Sequence, residues 1–172
     1  SDQVIKKNNI NNMSINGITC DSRKIKKGYI FAVFRGVNIN GLNYISEAIR
    51  KGAVALLVDK KDIQNIKYSS KIEIIPSLLP RKKYALICNK FNNYRFNNIV
   101  GVTGTNGKTS VAWFVNKLVK LSGVKSASIG TLGIDYNSGL KKNSLTTPES
   151  EEIVSALNKL YIKKAKHIII EA

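Results

Sequence analysis

Histidine is nearly absent from this sequence, with a single copy at position 167, and cysteine is scarce. Cys20 and Cys88 lie far apart and form no CxxC, which excludes a zinc site and leaves two reduced, structural thiols. His167 stands just before an apolar run and reads as an ordinary strand-edge residue. No stretch approaches the roughly 18–20 apolar residues that cross a bilayer. The start, SDQVIKKNNINN, lacks the apolar segment of a secretory signal, so a cytoplasmic protein without a membrane partner is expected.

Acidic residues are also few: 11 Asp and Glu against 28 Lys and Arg, for a net charge of +17. Such a balance invites a nucleic-acid reading. Against it, the lysines are spread along the chain, travel with Asn and Ile (NNINN, NKFNNYRFNN), and form no basic-aromatic recognition motif. A basic surface equally suits anionic nucleotide substrates. The 172 residues, 43% hydrophobic, suffice for one ordinary domain or two small ones with a packed core.

The order of elements is α/β. Residues 17–23 start as a strand and end in the polar turn Asp21-Ser22-Arg23, and YIFAVF at 29–34 is a buried-strand run. Helical spacing at 44–50 is followed by Gly52 where a helix terminates, then by a second apolar strand, AVALLV at 53–58. A weaker strand at 72–75 and a helix after Pro80 complete the first part. The polar stretch 92–98 marks a domain boundary, giving domains 1–97 and 98–172. Strand 99–103, a helix at 108–121 closed by Gly123, and strand 126–129 follow; a loop carrying Gly130, Gly133 and Gly139 leads to LTTP at 145–148. Thr147 as N-cap and Pro148 as first helical residue predict a helix with a stripe of Ile153, Val154, Leu157 and Leu160. The closing HIIIEA is strand-like, and a parallel sheet that stops there reads as an unfinished domain.

The chemistry concentrates in GVTGTNGKTS, 101–110. A strand enters it and a helix leaves it, as a phosphate-binding loop requires. Gly104 and Gly107 let the backbone approach phosphate oxygens, and successive N–H groups with the helix N-terminus form a nest for a polyanion. Lys108 would reach the β- and γ-phosphates and the Thr109 hydroxyl a Mg²⁺ ion. The strict G-x-x-x-x-G-K-[ST] pattern wants glycine at 102, where this chain has Val102. Glu171, at the end of a strand beside such a loop, is a candidate metal ligand; taken alone, it reads equally as a solvated strand end. Thr146 and Thr147 alone read as capping residues.

These segments resemble the Mur ligases. TGTNGKT at 103–109 is similar to their ATP-binding loop, which shares the departure at Val102. DSRKIKKGYIFAVFRG at 21–36 resembles the DSR signature of their N-terminal domain. NGLNYISEAIRKGAVALLV at 40–58 resembles the segment that follows, with Asn40 for the usual aspartate. LTTPES at 145–150 and the final IIIEA are similar to two later landmarks, so the resemblance runs from about residue 17 to the end in family order.

The resemblance implies a small N-terminal α/β domain followed by the start of a P-loop, Rossmann-like central ATPase domain. It implies that Ser22, with Cys20 beside it and Val37, Asn38 and Ile39 in the neighbouring loop, binds the uridine diphosphate end of the substrate. Gly104, Thr105, Asn106, Gly107, Lys108, Thr109 and Ser110 would hold ATP, with Lys108 catalytic. Thr109 and Glu171 would bind Mg²⁺, and Thr146 and Thr147 would contact the muramoyl peptide. GTNGKT combined with LTTPE points to the ligases that add the third amino acid, diaminopimelate or lysine, to UDP-N-acetylmuramoyl-L-alanyl-D-glutamate through an acyl phosphate. The family's third domain and its modified lysine and metal-binding histidine are not in this sequence, so a partial, monomeric chain inactive by itself is expected. A ligase adding D-alanyl-D-alanine and a basic P-loop nucleic-acid module are the competing readings.

Overall fold

The computed structural model describes residues 14–36, 39–66, 72–92, 94–136 and 148–172, and the backbone of 139–141. It divides into two compact units, Ser1–Phe91 and Asn92–Ala172.

The first unit is a parallel sheet of β1 (Gly17–Thr19), β2 (Tyr29–Ala32), β3 (Ala53–Asp59) and β4 (Glu73–Ser77), in spatial order β1-β2-β3-β4. Helix α1 (Ile45–Arg50) joins β2 to β3, and α2 (Pro80–Lys90) follows β4. Parallel strands linked by helices are covered on both faces, so β3 reads as a continuous apolar run. Leu56 and Val58 pack with Phe31, Val33, Ile45 and Ala48. Leu57 alternates to the other face, and α2 buries Tyr84 and Cys88 against the sheet. Each such side chain contributes roughly 1.5–3 kcal/mol, more than an exposed ion pair does, so the unit rests on this run. Gly52 ends α1 with φ +100°, donating to the Ile49 carbonyl, and a Cβ there would come within 3.0 Å of Lys27 Cα. The strand expected at 29–34 ends at Ala32; the Val33 amide still donates to the Leu57 carbonyl at 2.8 Å, and Arg35 then bridges back to Asn40.

In the second unit the order is β5-β9-β6-β7-β8: β5 (Asn98–Val102), β6 (Ser126–Gly130), β7 (Gly133–Tyr136), β8 (Gly139–Lys141) and β9 (His167–Glu171). The last strand inserts between β5 and β6, parallel to both. Helix α3 (Lys108–Leu121) and helix α4 (Ser150–Ile162) flank it. Alternation along β6 sorts the two faces: Ala127 and Ile129 join Ala156, Leu157, Leu160 and Ile168 on the α4 side, while Ser126 and Ser128 meet α3. Helix α3 presents Val111, Phe114, Leu118 and Leu121 outward.

Two sequence expectations are corrected. The glycine-containing loop after β6 is instead the antiparallel pair β7–β8, whose strands are too short to show a clear alternation. Pro148 is not the first helical residue: Glu149 has extended backbone (ψ 154°), its carbonyl accepts from Glu152 and Ile153, and the helix opens at Ser150. Thr147 lies outside the described residues.

Candidate functional site

The register of the second sheet builds the site. Glu171 pairs with Val102, the last residue before the loop, while Ile170 pairs with Ile129, bringing Gly130 alongside Glu171 from the other strand. The carboxylate therefore emerges at the C-terminal edge of the sheet between the phosphate loop and the β6–β7 turn.

Gly107 caps α3 with φ +77°, a left-handed conformation that suits glycine and turns the chain into the helix. Thr105, Asn106 and Ser110 are exposed, with the loop's amides at the α3 N-terminus. Lys108 folds back over its own loop, Nζ donating to the Gly104 carbonyl at 2.7 Å. Thr109 Oγ1 donates to Glu171 Oε1 at 2.6 Å. The Thr131 amide donates to Glu171 Oε2 at 2.9 Å and its hydroxyl to Oε1 at 3.0 Å.

Glu171 is 3% exposed. Burial pushes its carboxyl up, but the bonds from Thr109 and Thr131, with the nearby Lys108 charge, outweigh that and hold it below its ordinary value. A Cβ on Gly130 would lie 2.7 Å from Glu171 Cβ, so glycine there is what admits the glutamate. Thr109, Trp113, Gly130, Leu132, Asp135 and Glu171 line a small cleft.

A hydroxyl and a carboxylate are hard oxygen donors of the kind Mg²⁺ takes, usually one or two from protein with phosphates and water completing the shell. No group of three His, Cys, Asp or Glu residues able to hold a metal occurs among the described residues. Thr109 and Glu171 come together in the structure, beside Lys108. Thr146 and Thr147 lie outside the described residues.

Behind the cleft, Asn116 is fully buried. Its amide donates to Asp135 Oδ2 at 3.1 Å and to Ser128, and its carbonyl oxygen accepts from Ser126 at 2.7 Å. Lys120 donates to Asp135 Oδ1 at 3.1 Å.

In the first unit, Cys20 and Ser22 follow β1 and Ile39 sits in the loop after β2, both at the C-terminal edge of adjacent parallel strands. Ser22 is buried and its hydroxyl donates to Glu47 Oε2 at 2.8 Å, while Lys51 donates to the Ser22 carbonyl and pairs with Glu47 at 2.7 Å. Ile39 is exposed and Cys20 half-buried. Val37 and Asn38 lie outside the described residues. Asn40 in place of aspartate keeps the capping role, its Oδ1 accepting from Leu42 N at 3.1 Å.

Sequence reasoning gave Gly130 only as a loop glycine and passed over Thr131, Glu47 and Asn116. A glycine-threonine pair at the end of a buried strand, beside a phosphate loop, was the available signal for the first two.

Residues 14–89 match the profile of the Mur ligase family, catalytic domain, and residues 102–172 that of the Mur ligase middle domain. The UDP-N-acetylmuramoyl-L-alanyl-D-glutamate–2,6-diaminopimelate ligase 2 of Clostridium acetobutylicum is 33% identical over 165 residues, covering 93% of this chain and 34% of that protein. The corresponding ligase of Fusobacterium nucleatum is 35% identical over 157 residues, covering 90% and 31%. The chain spans about a third of the length of these curated relatives. A solved structure of a UDP-N-acetylmuramoyl-L-alanyl-D-glutamate–2,6-diaminopimelate ligase shares its fold with a TM-score of 0.71 at 22% identity, over 91% of this chain and 31% of that one. The MurF ligase of Thermotoga maritima, solved with ADP, does so with a TM-score of 0.55 at 20% identity, over 91% and 32%. With two successive domain profiles matched in order along one α/β chain, the protein belongs to the Mur ligase family.

Proposed function

We propose that this chain is the substrate- and ATP-binding part of an ATP-dependent amide ligase of cell-wall precursor synthesis. Its reaction joins an amino acid to the D-glutamate of UDP-N-acetylmuramoyl-L-alanyl-D-glutamate. Diaminopimelate is the proposed amino acid, since the relatives that cover most of this chain carry that name. Residues 1–97 would hold the uridine diphosphate end through Cys20, Ser22 and the 37–39 loop. Residues 98–172 would hold ATP through Gly104–Ser110, with Thr146 and Thr147 toward the muramoyl peptide. The proposed protein works as a monomer in the cytoplasm.

The observation that carries this reading is the Thr109–Glu171 pair beside the phosphate loop. Bound by these two residues, Mg²⁺ would offset negative charge on the phosphates. The loop amides and the α3 N-terminus would hold the phosphate oxygens. Lys108 would leave the Gly104 carbonyl and swing onto the β- and γ-phosphates, exchanging a neutral acceptor for a charged one. Holding nucleotide and muramoyl peptide side by side provides the proximity on which the transfer depends.

Calorimetric titration tests this. The chain is expected to bind ADP with Mg²⁺, to lose that binding in Lys108→Ala, and to bind the muramoyl nucleotide in a manner lost in Ser22→Ala. Binding only to a single-stranded oligonucleotide, falling steeply with salt, would instead favour a nucleic-acid module.

A further inference from the structure

Thr131 belongs to no expected motif, yet it supplies two of the three hydrogen bonds that the structure gives the Glu171 carboxylate. We propose that Thr131 is the arm that positions Glu171 for a divalent cation held together with the Thr109 hydroxyl. The proposal rests on the reading of Thr109 and Glu171 as the metal pair.

The Thr109 hydroxyl has one proton and two lone pairs; the proton goes to Glu171 Oε1 at 2.6 Å, which leaves the lone pairs for a cation. A carboxylate this buried is costly when its own lone pairs are unmatched, so something must hold it in aim toward a cation at Thr109.

Thr131 is placed to do so. It reaches Glu171 from the β6 end, whereas Thr109 reaches it from the first turn of α3. Its amide proton is fixed by the backbone at 2.9 Å from Oε2, and its hydroxyl at 3.0 Å biases Oε1. Gly130 opens the path: any side chain there would strike Glu171 and force it off the turn. Partners that orient a metal ligand in this way typically contribute 10–100-fold in metal affinity.

The test reads cation binding directly. Trp113 is the sole tryptophan and lines the cleft with Thr109 and Glu171, so paramagnetic Mn²⁺ bound there quenches its fluorescence. The chain is titrated with ADP without metal, then with Mn²⁺ at saturating ADP. Thr131→Val is expected to weaken Mn²⁺ affinity about tenfold or more while metal-free ADP affinity stays within about twofold, and Thr131→Ser to restore it. Glu171→Gln is expected to abolish the Mn²⁺ response. Wild-type Mn²⁺ affinity in Thr131→Val, alongside loss in Glu171→Gln, overturns the role of Thr131 alone. Equal weakening of metal-free ADP binding in Thr131→Val reduces that role to fold maintenance and likewise overturns it. No Mn²⁺ response in the wild-type chain, or an unchanged one in Glu171→Gln, overturns the metal reading and this proposal with it.

Discussion

The hydroxyl of Thr109 donates to the carboxylate of Glu171 across 62 positions of sequence, joining the first turn of α3 to the last strand of the sheet. A hydrogen bond to a buried charged group is worth about 1.5–3 kcal/mol, more than a neutral one. Thr109→Val is therefore expected to lower unfolding free energy by about 1–3 kcal/mol and to weaken metal-dependent ADP binding about tenfold or more. Thr109→Ser, which keeps the oxygen, retains most of both. Urea denaturation and ADP titration with and without Mn²⁺ measure the two effects; a Val variant as stable as the wild type shows that the bond does not form.

Gly130 and Glu171 form a second coupled pair. Gly130→Ala places a methyl 2.7 Å from Glu171 Cβ, and because the backbone of β9 is pinned between two strands, relief falls on the glutamate side chain or on strand separation. Overpacking of this kind costs about 1–3 kcal/mol. Since the clash is with one side chain, adding Glu171→Ala removes part of it, and the double variant is expected to be more stable than the two single losses sum to. Additivity within experimental error in thermal unfolding argues that the methyl is accommodated elsewhere.

Much of this architecture was legible because its elements carry local signals. The α3 bounds follow from the glycine-rich turn and from Gly123, and the β3 run from its unbroken apolar residues. The resemblance named Thr109 and Glu171 each as a metal ligand; the physical cause of their contact, β9 inserting next to β5, is a matter of strand order, which no local pattern records. The same non-locality hid Thr131, whose role depends on β6 lying on the far side of β9. Pro148 was misread because a proline that suits a first helical position is equally at home just outside the helix. The short strands β7 and β8 offered too few residues for a period of two to show.

In the first unit, Glu47 accepts from both Lys51 and Ser22, and its carboxyl is held below the ordinary value, chiefly by Lys51 and next by Ser22. A carboxylate with a depressed folded value contributes stability that is present above its unfolded value and lost as pH falls through the folded one. Ser22→Ala is thus expected to move the Glu47 titration upward in a ¹³C-detected NMR experiment. A proposed uridine ligand that draws on the Ser22 hydroxyl would do the same on binding. An unmoved Glu47 in Ser22→Ala refutes the contact.

Asn116 gives the sharpest stability prediction, because it is fully buried and each of its polar atoms is used. Asn116→Ala leaves Asp135 with its lysines and Ser126 with the backbone carbonyl of residue 116, so the cost is about 2–3 kcal/mol, from lost bonds and a small cavity. Asn116→Asp removes the donor and sets a second carboxylate where the first, 3.1 Å away, formerly accepted a bond. Two like charges in a buried site disfavour ionisation, so the introduced carboxyl has a folded value raised above its unfolded one. The linkage sign then reverses from that of Glu47: the variant is penalised above the ordinary carboxylate range, and the penalty shrinks as pH falls and the group takes up its proton. Urea denaturation at neutral and at mildly acidic pH is expected to find Asn116→Asp less stable than Asn116→Ala at the former, with the gap narrowing at the latter. A gap independent of pH shows that the loss comes from packing and not from charge.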